Sequence, residues 1–78
     1  MKTIIAASGQ TLMDIVLTHC GTIEALMDVA IYNNLPADSE MNIGDEIVIP
    51  DGVPVVADVV EYFSEHNINI STKALNGL

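Results

Sequence analysis

Apolar and polar residues follow two periods along this chain, about two residues near each end of its first fifty positions and about 3.6 between them. Residues 3–7 are isoleucine-rich and alternate weakly, which predicts an N-terminal strand that Gly9 breaks. Thr11 then stands as a helix N-cap, with Asp14 three residues later as an acidic capping box. Leu12, Ile15, Val16 and His19 fall at i, i+3, i+4 and i+7, predicting a short helix that ends near Cys20-Gly21. Thr22 caps a second helix, in which Ile23, Leu26, Met27 and Ala30 repeat the spacing with Glu24 and Asp28 on the far side. Asn33-Asn34 suits a left-handed exit, and Pro36 prevents the helix from continuing.

Gly44-Asp45 turns the chain into a second strand over Glu46–Ile49, closed by Pro50. Ile47 and Ile49 share one face of it, Glu46 and Val48 the other. Two helices covering one face of two strands make a small α+β core. Beyond it, Pro54 suits a first helical position, and Val56, Val59, Val60 and Phe63 recur at helical spacing. Their β-branched character favours a strand, so periodicity and propensity disagree there. Asp58, Glu61 and Glu65 make the opposite face acidic, and residues 67–72 alternate as a short extended segment. The chain divides into a module over residues 1–50 and an extension over 51–78.

With 78 residues there is room for one domain and a modest core. Half the residues are hydrophobic, which argues against disorder, and no apolar run approaches the length of a membrane span. The apolar stretch after Lys2 is too short for a secretory signal, so the chain is expected to be cytosolic at first or to leave by a route that needs no signal peptide. Eleven carboxylates oppose Lys2 and Lys73, a net charge of −9 that repels nucleic acid and anionic membrane. Cys20 is the single cysteine, which excludes an internal disulfide.

The ordered set Gly9-Gln10-Thr11-Leu12, Asn33-Asn34-Leu35 and residues 44–50 (Gly-Asp-Glu-Ile-Val-Ile-Pro) resembles a LysM domain. The resemblance spans residues 3–50 and implies a β-α-α-β fold with a two-stranded antiparallel sheet. It also implies non-catalytic binding of a glycan containing N-acetylglucosamine, peptidoglycan or chitin. Carried over by position, the glycan groove would be lined by Gly9, Gln10, Thr11 and Leu12 facing Asn34, Leu35, Pro36 and Ala37. One such shallow site binds weakly unless the chain oligomerises.

A short LysM-like module with a C-terminal segment is also similar to small proteins of phage tails and contractile injection machines. That likeness implies an assembly piece with tail or baseplate partners, and the two resemblances together imply a chain that is cytoplasmic before assembly and then associated with a virion or cell wall. The extension then has two compatible roles. Its helix covers the open sheet face, where Ile5 and Val48 point, or its Val56, Val60, Phe63, Ile68 and Ile70 dock on another protein, the last two by strand addition. No enzymatic chemistry is expected. His19 and Cys20 are adjacent and diverge by about 100° on a helix, no carboxylate dyad is spaced for catalysis, and no glycine loop suits a phosphate. Neither a metal nor a cofactor is expected, since Glu40, Asp45 and Glu46 match no calcium loop.

Overall fold

A computed structural model describes residues 1–68. Its elements run β1 (Lys2–Ile5), α1 (Leu12–Cys20), a 3-10 turn (Ile23–Ala25), α2 (Leu26–Tyr32), β2 (Glu46–Ile49) and α3 (Ala57–Glu65). The chain is an α+β protein in which strand, two helices and strand precede the last helix. β1 and β2 pair antiparallel, with Ile4 opposite Ile47 and Thr3 opposite Val48. Ladder pairing continues past β1, where the Ala6 N–H donates to the Asp45 carbonyl at 2.8 Å.

Alternation assigns the two sheet faces as expected. Ile4, Ala6, Ile47 and Ile49 are buried, whereas Thr3, Ile5 and Glu46 face outward. Against the buried face pack Leu12, Ile15, Val16 and Cys20 of α1, with Ala25, Val29, Ala30 and Met41 closing the same core. Burial of each large aliphatic side chain among these contributes about 1.5–3 kcal/mol.

α1 forms as its termini dictate. The Asp14 N–H donates to Thr11 Oγ1 at 3.2 Å, and the Thr11 N–H donates to Asp14 Oδ2 at 2.9 Å. This reciprocal pair satisfies two amide groups that the first turn leaves open. Gly21 ends the helix in the left-handed region at φ 74°, donating its N–H to the Leu17 carbonyl.

α2 departs from the expected face. Its entry is a 3-10 turn, which advances each residue by about 120° rather than about 100°. The buried side is therefore Ala25, Val29 and Ala30, with Leu26 half-buried, and Ile23 and Met27 turn to solvent. Small residues on the inner side let the helix approach α1 and β2 closely. Of the two asparagines at its exit, Asn34 takes the left-handed conformation (φ 56°) and Asn33 does not.

The extension is also corrected in two respects. α3 begins at Ala57, so Pro54 lies outside it and Val56 is an extended N-cap residue whose N–H donates to the Cys20 carbonyl at 2.8 Å. The β-branched pair Val55-Val56 keeps the backbone extended through the cap. α3 then packs on α1 rather than across the open sheet face, and Ile5 is left 58% exposed. Gly21 makes this approach possible: a Cβ there would lie 2.6 Å from the Val56 carbonyl oxygen. Of the alternating stretch expected over residues 67–72, Asn67 instead takes the left-handed conformation (φ 54°) in the turn that ends α3, and residues 69–72 lie outside the described residues.

Candidate functional site

Three surfaces present themselves. The first is a groove of 360 Å³ where the start of α1 meets the loop after α2, lined by Thr11, Met13, Leu26, Ala37 and Asp38. Backbone bonds zip the two segments together. Leu12 N–H donates to the Ser39 carbonyl at 2.9 Å, and Met41 N–H donates to the Gln10 carbonyl at 3.1 Å. Thr11 and Glu40 form an isolated antiparallel bridge beside them.

Of the eight residues expected to line a glycan groove, Thr11 and Ala37 do so. Gln10 is 1% exposed and Leu12 is fully buried, so neither side chain can meet a ligand in this groove. Gln10 instead folds back, its Oε1 accepting from the Ala7 N–H at 2.7 Å, and Leu12 anchors α1 in the core. Gly9 is half-buried at φ 79°, and Leu35 packs against the core while its N–H donates to the Ala30 carbonyl. Asn34 and Pro36 are exposed near the groove's loop wall. Met13, Leu26 and Asp38 were not expected there. Met13 is exposed and lies off the i, i+3, i+4 face of Leu12, Ile15 and Val16, which is the signal the sequence carried.

The second surface is a cleft of 570 Å³ between β1 and α3. Ile4, Ile5, Val60, Phe63 and Ile68 give it apolar walls, while Lys2 and His19 add basic groups. Three of the five expected docking residues, Val60, Phe63 and Ile68, line it. Val56 lies outside it at the α3 cap, and Ile70 lies outside the described residues.

The third surface is the outer side of α2. Met27 and Ile31 stand at i and i+4 of α2 and are 59% and 71% exposed, and Ile23, in the 3-10 turn before them, is 48% exposed. Glu24 and Asp28 are exposed beside them. Neither joins an ion pair among the described residues, where the Met1 amino group bonds to Asp51.

Two interior side chains have shifted protonation equilibria. Burial, reinforced by the nearby Lys2 charge, holds the His19 imidazole below its ordinary pKa. Burial raises the Cys20 thiol, with Lys2 opposing, so the sulfur stays protonated and weakly nucleophilic. Among the described residues no group of three or more His, Cys, Asp or Glu side chains could hold a metal ion. No helix among them is long and apolar enough to cross a membrane.

No family model, curated protein or solved structure matches this chain.

Proposed function

We propose that the chain is a non-catalytic, LysM-like binding module that serves as an assembly component, similar in role to the small LysM-like proteins of phage tails and contractile injection machines. One observation carries this reading: Met27 and Ile31 on the outer side of α2, with Ile23 in the turn before them, are more exposed than a small soluble domain needs for its own folding. A single domain that leaves such residues uncovered gains by burying them on another protein.

A second reading, binding of a glycan containing N-acetylglucosamine, is supported by the groove between Thr11 and Ala37, where the LysM resemblance would put it. Against it, Gln10 and Leu12 are interior, and none of the groove's five lining residues is an aromatic platform for a sugar ring. Co-sedimentation with insoluble peptidoglycan and a proton–nitrogen NMR titration with N-acetylglucosamine oligomers separate the two. The assembly reading expects no pelleting and no shifts at millimolar sugar. Pelleting with shifts at Gly9, Thr11 and residues 34–37 would establish the glycan reading instead.

A further inference from the structure

We propose that the outer face of α2 docks a basic amphipathic helix of a partner protein. Ile23, Met27 and Ile31 would seat its apolar side, and Glu24 and Asp28 would pair with its lysines or arginines. The inference rests on the assembly reading and names the partner's chemistry.

Spacing comes first. Residues four apart stack along one side of an α-helix, so Met27 and Ile31 form one apolar ridge on α2, and the exposed Ile23 precedes it in the 3-10 turn. Met27 is unbranched and polarizable, suited to following the contour of a facing helix. A helix laid along such a ridge reads as the helix-to-surface mode of recognition.

Charge then selects the occupant. Asp28 follows Met27 on α2 and Glu24 follows Ile23 in the 3-10 turn, so an exposed carboxylate neighbours two of the three apolar residues. A partner helix that buries the ridge must bring its own flank against these two acids. Lysine or arginine there turns a desolvation cost into attraction, while acidic flanks are repelled. The same rule disfavours a second copy of this chain. A second copy would bring another molecule of net charge −9 against this face. The overall charge would meanwhile draw a basic partner in from solution.

The test is an NMR titration of the isotope-labelled chain with two synthetic helices. One carries leucines at helical spacing flanked by lysines, and the other is identical with glutamates in place of the lysines. The lysine helix is expected to shift the amides of residues 23–31, and its affinity should fall when salt is raised. Met27→Lys should abolish these shifts while leaving the urea unfolding midpoint unchanged, since the side chain is exposed. Glu24→Gln with Asp28→Asn should weaken binding by about fivefold, the scale of two rim charges. Equal binding of the glutamate helix, or shifts confined to α3 or to the Thr11–Ala37 groove, would overturn the α2 assignment while leaving protein docking standing. A dimer of the free chain that Met27→Lys disperses would replace the partner with a second copy. Silence towards both helices, together with shifts by sugar oligomers, would overturn the assembly reading as well.

Discussion

The side chain of Asn33 satisfies both backbone groups of Val48. Its Nδ2 donates to the Val48 carbonyl at 2.8 Å, and its Oδ1 accepts from the Val48 N–H at 2.8 Å. The same Nδ2 donates to the Val29 carbonyl at 2.7 Å, so one amide ties the end of α2 to the outer edge of β2. A two-stranded sheet has two open edges, and an open edge invites strand addition. Asn33 closes this one at its centre.

Asn33→Ala should therefore cost about 1–3 kcal/mol, the desolvation of half-buried peptide groups left without partners. Urea denaturation measures it. Asn33→Asp should not rescue, since a carboxylate can accept from the Val48 N–H but cannot donate to the two carbonyls. Asn34→Gly, at a left-handed position, should be neutral or slightly stabilising by comparison.

Gly21→Ala should be far worse than Gly44→Ala. Both positions have positive φ, but a Cβ at Gly44 meets nothing within 4 Å. A Cβ at Gly21 meets the Val56 oxygen at 2.6 Å and the Val59 Cβ at 3.0 Å. Gly44→Ala is expected to cost about 1 kcal/mol from backbone strain alone. Gly21→Ala adds a clash that pushes α3 off α1, for a total loss of at least about 2 kcal/mol. Hydrogen exchange checks the cause: the amides of α3 should lose protection first, before those of α1 and the sheet.

Removal of the capping hydroxyl by Thr11→Ala should destabilise the domain by about 1 kcal/mol, and Thr11→Ser should restore most of it. Thermal melts monitored by circular dichroism measure both. Because Thr11 also lines the groove, the alanine variant should shift the NMR signals of Ala37 and Asp38 as well.

His19 sets a pH dependence of known sign. Its pKa is depressed below 6.5 in the folded chain, first by burial and then by Lys2. The folded state therefore binds fewer protons than the unfolded state at mildly acidic pH, and stability rises with pH there. The contribution is complete above the unfolded value of 6.5 and is lost as pH falls towards the depressed folded value. Urea midpoints of wild type and His19→Gln across this window isolate it: the difference between them should change below pH 6.5 and stay flat above it.

Elements with their own local signals were legible in the sequence. The capping box at Thr11 and Asp14, the left-handed stop at Gly21 and the alternation of Glu46–Ile49 each depend on neighbours in the chain, and each is found. The inward side of α2 was not legible, because apolar residues surround the helix and the 3-10 entry that rotates it leaves no periodic trace. The placement of α3 on α1 depends on the missing Cβ of Gly21, a contact more than thirty residues away in sequence. The groove was half legible for a related reason. Position in a motif brought Thr11 and Ala37 together, but the burial of Gln10 and Leu12 follows from tertiary packing.

The most direct test of the account is photo-crosslinking in the producing cell, with a benzophenone side chain placed at Met27 in one variant and at Ala37 in another. The account predicts a protein adduct at position 27 that resists muramidase, and none at position 37. Muramidase-sensitive adducts at position 37, with position 27 silent, would contradict it.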